Sequence, residues 1–308
     1  MSQFQKKSQD DSAKQRPPTP RKELHGSDKF TDDLVAETVS MIKHRIAVMS
    51  GKGGVGKSTV AVNIATSLAK AGSQVGVLDG DVHGPDIPLM FGLQGQIPDS
   101  ASGYLLPLIA QRNIKVMSIG FLIGSRDTPV AWRGPLKHKL FQQFLTEVEW
   151  GPLDYLIVDL PPGTGDEPLS IAQLLGKPMS AVIVTTPQDV ALLDARKAVV
   201  FAKGMEMNVL GIIENMSGLI CPYCGREIDL FKTGGGEKAS RELGVPFVGR
   251  IPMAPEVVVG GDNGVPTVLG NPDSAVTRAF RDVAEAVRQA TKTNLVGLRG
   301  TPDKRSNR

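Results

Sequence analysis

Residues 51–59, GKGGVGKST, place four glycines, two lysines and a Ser-Thr pair next to one another. Gly51, Gly56, Lys57 and Ser58 fit the pattern G-x-x-x-x-G-K-[ST], whose glycines let backbone N–H groups turn inward around an anion. A helix that begins near Lys57 would add the positive end of its dipole. We expect Lys57 to contact the β- and γ-phosphates and the Ser58 hydroxyl to ligate Mg²⁺. The predicted nucleotide site comprises Gly51, Lys52, Gly53, Gly54, Val55, Gly56, Lys57, Ser58 and Thr59.

Two strand-like segments end in the carboxylates that such a loop needs for magnesium and water. Asp159 ends the run DYLIVD and precedes a Pro-Pro-Gly turn, where an Asp supports the metal in P-loop enzymes. The run VGVLDGDVHGPD supplies Asp79, Asp81 and Asp86. We predict that Ser58 and Asp159 hold Mg²⁺ and that Asp81 orients the attacking water. The alternative is that these aspartates only cap their loops, and it is most open for Asp79 and Asp86.

The chain has two cysteines, Cys221 and Cys224, in the sequence C-P-Y-C-G. Two thiolates do not complete a tetrahedral zinc site or the four ligands of a [4Fe–4S] cluster, and the four histidines show no ligand spacing. Two copies of the chain would supply four thiolates, so we predict a homodimer that shares the site. The residues alone fit zinc and iron–sulfur equally. A redox pair is a weaker alternative, because such a pair normally begins a helix after the first strand.

Apolar, β-branched segments alternate with helical patterns along the chain. The predicted strands are 45–50, 74–79, 115–119, 154–159, 180–186, 208–213 and 246–249. The predicted helices are 31–43, 57–71, 136–148, 167–175, 189–205, 235–243 and 273–291. Most strand segments are continuously apolar, which is typical of strands buried on both faces of a parallel sheet. The pattern predicts a doubly wound α/β fold with a mostly parallel sheet and helices on both faces.

Composition narrows the class of protein. The 308 residues are 41% hydrophobic, and the net charge is only +3. The chain therefore lacks the large excess of positive charge that is typical of proteins that bind nucleic acid. No apolar run approaches the ~18 residues of a membrane span. We expect a cytoplasmic protein that binds neither nucleic acid nor membrane. Residues 1–30 are predicted to be disordered, 31–291 to form one ATPase domain that includes the cysteine pair, and 292–308 to form a flexible basic tail.

The stretch GKGGVGKST resembles the deviant P-loop of the MinD/ParA group of dimeric ATPases, which includes the nitrogenase iron protein. This resemblance implies a role for the additional lysine, Lys52. It would reach across a face-to-face dimer and stabilise charge on the phosphoryl group of the partner's nucleotide. The resemblance also implies that Asn215 reads the adenine base. An exposed Lys52 without that role is the alternative.

Longer stretches resemble the Mrp/ApbC family of iron–sulfur cluster carrier ATPases over about residues 44–290. They are LDGDVHGPDIPLMFGL, the region from WRGP to SIAQ, ENMSGLICPYCG and TGGGEKAS. The resemblance implies a Mg²⁺-dependent ATPase that binds a [4Fe–4S] cluster between two subunits and delivers it to apoproteins. It favours iron over zinc at Cys221 and Cys224. Residues 1–220 contain no cysteine, unlike eukaryotic relatives with an N-terminal cysteine cluster.

Two alternative functions remain open: a dimeric ATPase that binds zinc through four cysteines, and a positioning or partition ATPase. A positioning or partition ATPase of the MinD/ParA kind would bind membrane or DNA, but it would leave the cysteine pair without a role. The run TGGGEKAS could form a second phosphate cradle. It lacks the G-K-[ST] ending, so we predict a turn before a helix instead.

Overall fold

The structure is a computed structural model that describes residues 28–123, 134–221, 223–224 and 226–298. Its strands are β1 (Ile42–Met49), β2 (Val75–Asp79), β3 (Ser100–Ala101), β4 (Tyr104–Leu105), β5 (Leu108–Ala110), β6 (Ile114–Met117), β7 (Leu153–Asp159), β8 (Ser180–Thr185), β9 (Asn208–Ile220), β10 (Glu227–Ile228) and β11 (Phe247–Met253). Its helices are α1 (Asp28–Ser40), α2 (Lys57–Lys70), α3 (Ile87–Met90), α4 (Gly134–Thr146), α5 (Asp166–Leu175), α6 (Asp189–Gly204), α7 (Gly235–Leu243), α8 (Pro255–Asp262), α9 (Thr267–Gly270) and α10 (Ala275–Leu298). Single 3₁₀ turns flank β6 on either side.

The main sheet has the order β10-β9-β8-β1-β7-β2-β6-β5, with β11 also paired to β9. The pairs from β11 across to β6 are parallel, whereas β5 and β10 run antiparallel to their neighbours. From β1 to β2 the chain moves one way across the sheet, and from β7 to β8 and on to β9 it moves the other way. Right-handed crossovers therefore place α2 on one face and α5 and α6 on the opposite face. This is the predicted doubly wound arrangement.

The central strands are buried from their middle to their carboxyl ends, because helices cover both faces. Ile46, Ala47 and Val48 of β1 are fully buried, as are Ile157 and Val158 of β7. Helix α10 packs on α2 and on β11, while α4 packs on α1 and α5. Continuously apolar strands thus reflect two-sided burial, as the sequence predicted.

All seven predicted strands are present, with differences at element ends; β11, for example, runs to Met253 and not to 249. Strand β1 begins at Ile42, which pairs with Leu153, so the first helix ends at Ser40 and not at Lys43. Helix α10 continues to Leu298 instead of ending at 291. The largest difference is β9, which was predicted to end at 213 and runs to Ile220, because β11 and β10 pair with its second half.

Parts of the predicted N-terminal and C-terminal segments, residues 1–27 and 299–308, lie outside the described residues. Among the helices that the structure describes, none is both long enough and apolar enough to cross a bilayer.

Candidate functional site

The glycine-rich loop lies between β1 and α2, at the carboxyl edge of the sheet. Gly56 has a left-handed backbone (φ 81°) immediately before the first helical residue, Lys57. A Cβ at Gly56 would lie 2.2 Å from Asn215 Nδ2, so a side chain would collide there. That same Nδ2 donates a hydrogen bond to the Val55 carbonyl at 2.9 Å. Asn215 therefore lies against the loop, next to the predicted nucleotide residues.

Lys57, Ser58 and Asp159 form one hydrogen-bonded cluster. Lys57 Nζ lies 2.6 Å from Asp159 Oδ1, and Ser58 Oγ donates to Asp159 Oδ2 at 2.6 Å. The side chains of Lys57 and Asp159 are only 7% and 1% exposed. The structure thus brings together the predicted phosphate-binding lysine and the two predicted magnesium ligands. Their hydroxyl and carboxylate oxygens are hard donors of the type that Mg²⁺ prefers.

Asp79 lies beside Asp159, because these two residues are partners in the parallel pairing of β2 with β7. Ser118 Oγ donates to Asp79 Oδ2 at 2.8 Å. Burial, and then the charge of Asp159, raise the pKa of the Asp79 carboxyl well above its ordinary value. Burial also raises the pKa of Asp159, but Lys57 and Ser58 oppose that shift. Asp159 is therefore the better placed of the two to carry the negative charge.

Asp81 follows β2 and is half-buried at the start of the loop that leads to α3. Its backbone N–H donates to Asp79 Oδ1 at 3.2 Å, and its Oδ1 accepts from the Gly84 N–H at 3.2 Å. The Asp81 side chain therefore caps its own loop, which was the alternative to a role in hydrolysis. Its role toward water stays a prediction.

Lys52 is half-buried, and the Ser50 hydroxyl donates to its carbonyl at 2.9 Å. Lys52 lines a surface groove of about 520 Å³. The other walls of this groove are the start of α6, near Asp189, and the segment 230–232. Lys52 is thus next to the chain that follows the cysteine hairpin. The predicted action on a partner's nucleotide stays a prediction.

Sequence reasoning missed a buried cation between the two carboxylate-bearing loops. Lys137, in the first turn of α4, has a side chain that is 7% exposed. Its Nζ pairs with Glu167 Oε1 of α5 and lies 2.7 Å from His83 Nε2, two residues after Asp81. The three residues come from distant segments, so no local pattern in the sequence could have identified them.

Cys221 and Cys224 lie at the tip of a β-hairpin made by β9 and β10. The Cys221 N–H donates to the Arg226 carbonyl at 2.9 Å. Both thiols are free; Cys221 is half-buried and Cys224 is exposed. Hydrogen bonds from Arg226, and then from Cys221, lower the pKa of the Cys224 thiol. The pair therefore lies on a hairpin whose first strand runs to Ile220, whereas the predicted strand ended at 213.

No cluster of three or more His, Cys, Asp or Glu suited to a metal ion occurs among the residues that the structure describes. The hairpin tip carries two free thiols, those of Cys221 and Cys224. Their predicted part in a metal site shared by two subunits stays a prediction.

The fold and the loop define a P-loop nucleoside triphosphatase of the MinD/ParA type. A family model described as NUBPL iron-transfer P-loop NTPase, of the ParA group, matches residues 41–288. The chain belongs to this family. This membership confirms the predicted class of enzyme, an ATPase, and the predicted iron–sulfur family.

Similar proteins agree with this assignment. The chain is 47% identical over 256 residues to the iron-sulfur cluster carrier protein of Methanocaldococcus jannaschii, covering 83% of this chain and 88% of that protein. It is 48% identical over 293 residues to the protein of the same name from Synechocystis, covering 90% and 82%.

Solved structures show the same fold. A nucleotide-binding protein from Archaeoglobus fulgidus, in complex with ADP, is 42% identical with a TM-score of 0.68, covering 77% of this chain and 92% of that chain. The cell division ATPase MinD of Pyrococcus furiosus is 26% identical with a TM-score of 0.59, covering 80% and 99%.

Proposed function

We propose that this ATPase carries a [4Fe–4S] cluster bound by Cys221 and Cys224 of two subunits, and that it delivers the cluster to apoproteins. The observation that supports this most is the pair of free cysteines at the tip of a hairpin, Cys221 half-buried and Cys224 exposed, in a chain of an iron-transfer family. Four thiolates complete the cluster only when two hairpins meet. A cluster held at an exposed junction is accessible to an acceptor protein, as a cargo must be.

The proposed ATP site uses the loop and the buried cluster beside it. Backbone amides from Gly53 to Thr59, together with Lys57, hold the phosphates, and Ser58 with Asp159 holds Mg²⁺. Bound Mg²⁺ neutralises part of the phosphate charge. Because Asn215 Nδ2 already donates to the Val55 carbonyl, its amide oxygen is the atom that would accept from the adenine amino group.

Hydrolysis in this proposal needs two subunits. Asp81 orients the water in its own subunit, and Lys52 stabilises the transferring phosphoryl group of the partner. Exposed apolar side chains that border the same groove as Lys52 support such a face: Val190 of α6 is 64% exposed and Leu230 is 55% exposed. A C₂ pair through this face would bring two hairpins toward each other.

The decisive experiment is anaerobic reconstitution with iron and sulfide, followed by absorption spectra, iron and zinc analysis, and native mass. We expect about four irons per dimer, since one cubane needs four thiolates. Cys221→Ala and Cys224→Ala should each lose the visible cluster.

Tyr223→Ala is the matched control, because Tyr223 lies between the cysteines, is 97% exposed and contributes no thiol. It should load as the unchanged protein does. Stoichiometric zinc with no competence for iron would contradict the proposal in favour of the dimeric Cys₄ zinc site. A complete cluster on a monomer would contradict the shared arrangement.

A further inference from the structure

The Glu214 carboxylate accepts hydrogen bonds from both ends of the segment that carries the two cysteines. Glu214 of β9 is fully buried. Before the hairpin, Ser217 Oγ donates to its Oε1 at 2.5 Å. After the hairpin, the Gly234 N–H donates to Oε1 at 2.9 Å, and the Gly236 N–H donates to Oε2. The segment 217–234, with the cysteines at its tip, thus begins and ends on the same side chain.

The charge of Glu214 is compensated where it lies. Gly234 and Gly236 belong to the amino end of α7, whose dipole favours an anion. Arg250 Nε of β11 lies 3.5 Å from Oε1. A buried carboxylate with several N–H donors and a nearby cation is a stable anchor, because both its charge and its lone pairs have partners.

The same contacts explain the run TGGGEKAS. Gly234 has φ 84°, and a Cβ at Gly236 would lie 3.1 Å from the Glu214 side chain, so glycines allow the backbone to close around the carboxylate. The run is a turn before a helix, as predicted. Its inward-facing amides bind a carboxylate of the protein itself and not an external phosphate.

Glu214 also adjoins the nucleotide site. Successive side chains of a strand point to opposite faces, and the next residue, Asn215, donates to the Val55 carbonyl of the P-loop. Of these two neighbouring residues of β9, Asn215 therefore contacts the P-loop and Glu214 contacts the base of the cysteine hairpin.

We propose that Glu214 is a positioning residue for the cysteine pair, which fixes the base of the hairpin relative to the P-loop. Its carboxylate acts through its contacts with Ser217, Gly234 and Gly236. The role in cluster retention rests on the proposed function. The positioning of the hairpin itself does not, and it is tested without metal.

The test compares Glu214→Gln with unchanged, metal-free protein by amide hydrogen exchange and mass spectrometry. The variant keeps the side-chain size and removes the charge that the amides bind. We expect exchange in segment 217–236 to accelerate by about tenfold or more, with β1 and α2 unchanged. Glu237→Gln is the matched control, because Glu237 pairs with the same Arg250 but not with the Gly234 and Gly236 amides. It should exchange as the unchanged protein does.

Unchanged exchange in segment 217–236 would overturn the proposal, and so would acceleration spread evenly over β1 and α2. If Glu214→Gln does not fold, Glu214→Asp retains the charge on a shorter arm, and the same local acceleration is expected with a smaller amplitude. Reconstituted Glu214→Gln should also release iron to a chelator severalfold faster than the control. If the unchanged protein takes up no cluster, the proposed function fails while the exchange result still decides the role of Glu214.

Discussion

The Lys57–Ser58–Asp159 cluster and the cysteine hairpin lie at the same sheet, but they differ in how many of their partners one chain supplies. Lys57 and Asp159 are buried, and each finds its charge partner within the subunit. Cys221 and Cys224 lie at the tip of a hairpin as free thiols, and among the described residues they belong to no group of three or more potential metal ligands. The Lys57–Ser58–Asp159 cluster is formed within one chain and can be preorganised by folding alone, although hydrolysis in our proposal also needs Lys52 of a second subunit. A site left half finished and exposed suits a group that is acquired and handed on.

Lys57→Ala tests the first half of this comparison and should have the largest effect. ATP turnover should fall by about 10³-fold or more, because the phosphate contact is lost. Stability should fall by about 3 kcal/mol, because Asp159 remains buried without its cation. Turnover and denaturant unfolding measure the two effects.

Lys43→Ala is the control for stability, since the Lys43 side chain is 70% exposed and its ion pair with Asp154 should contribute little to the free energy of unfolding. Equal destabilisation by the two variants would show that burial of the Lys57–Asp159 pair does not matter. Turnover unaffected by Lys57→Ala would place phosphate binding elsewhere.

Lys137→Met tests whether the buried Lys137 side chain positions the loop that carries Asp81. Lys137 ties the loop after β2, through His83, to the start of α5, through Glu167. Its loss should lower turnover by about tenfold through misplacement of the Asp81 loop, with nucleotide affinity unchanged. Stability should fall by about 2 kcal/mol, because Glu167 loses its partner. The split between turnover and affinity of a fluorescent ADP analogue distinguishes positioning from binding.

Lys139→Met is the matched control on the same helix, because Lys139 is exposed. If Lys137→Met and Lys139→Met behave alike in turnover and stability, the buried cation has no positioning role.

The two regions also differ in how much the sequence could predict. The P-loop and Asp159 were predictable because contiguous patterns specify them, and the sheet places the strand ends together. The hairpin was not, because N-M-S-G at 215–218 resembles a loop: Met216 has φ 55° and Gly218 has φ 76°. Pairing of β9 with β11 and β10 overrides that local signal. Contacts such as Lys137 with Glu167 depend on the fold and have no signature in a single sequence.

Asp79→Asn tests how burial beside the P-loop makes the free energy of unfolding depend on pH. The raised pKa of Asp79 means that the folded protein keeps this proton at pH values where the unfolded chain, titrating near 3.8, has lost it. The free energy of unfolding therefore falls as pH rises from about 4 toward the pKa of the folded protein. The variant lacks this loss, so its stability relative to the unchanged protein should be higher at pH 7.5 than at pH 4. Denaturant unfolding at the two pH values measures this difference, and a constant difference would contradict it.

Cys221→Ser should have the smallest effect on stability and separates the tip of the hairpin from its base. In metal-free protein the free energy of unfolding should change by about 0.5 kcal/mol or less, because a serine retains the backbone hydrogen bond to Arg226 and removes little buried surface. Ser217→Ala, at the base, should cost about 1 kcal/mol, since it removes a hydrogen bond to the buried Glu214 carboxylate. Denaturant unfolding of both variants without metal makes the comparison. If the tip mattered as much as the base, the cysteines would be part of the folded scaffold, and the distinction between a finished site and a half site would fail.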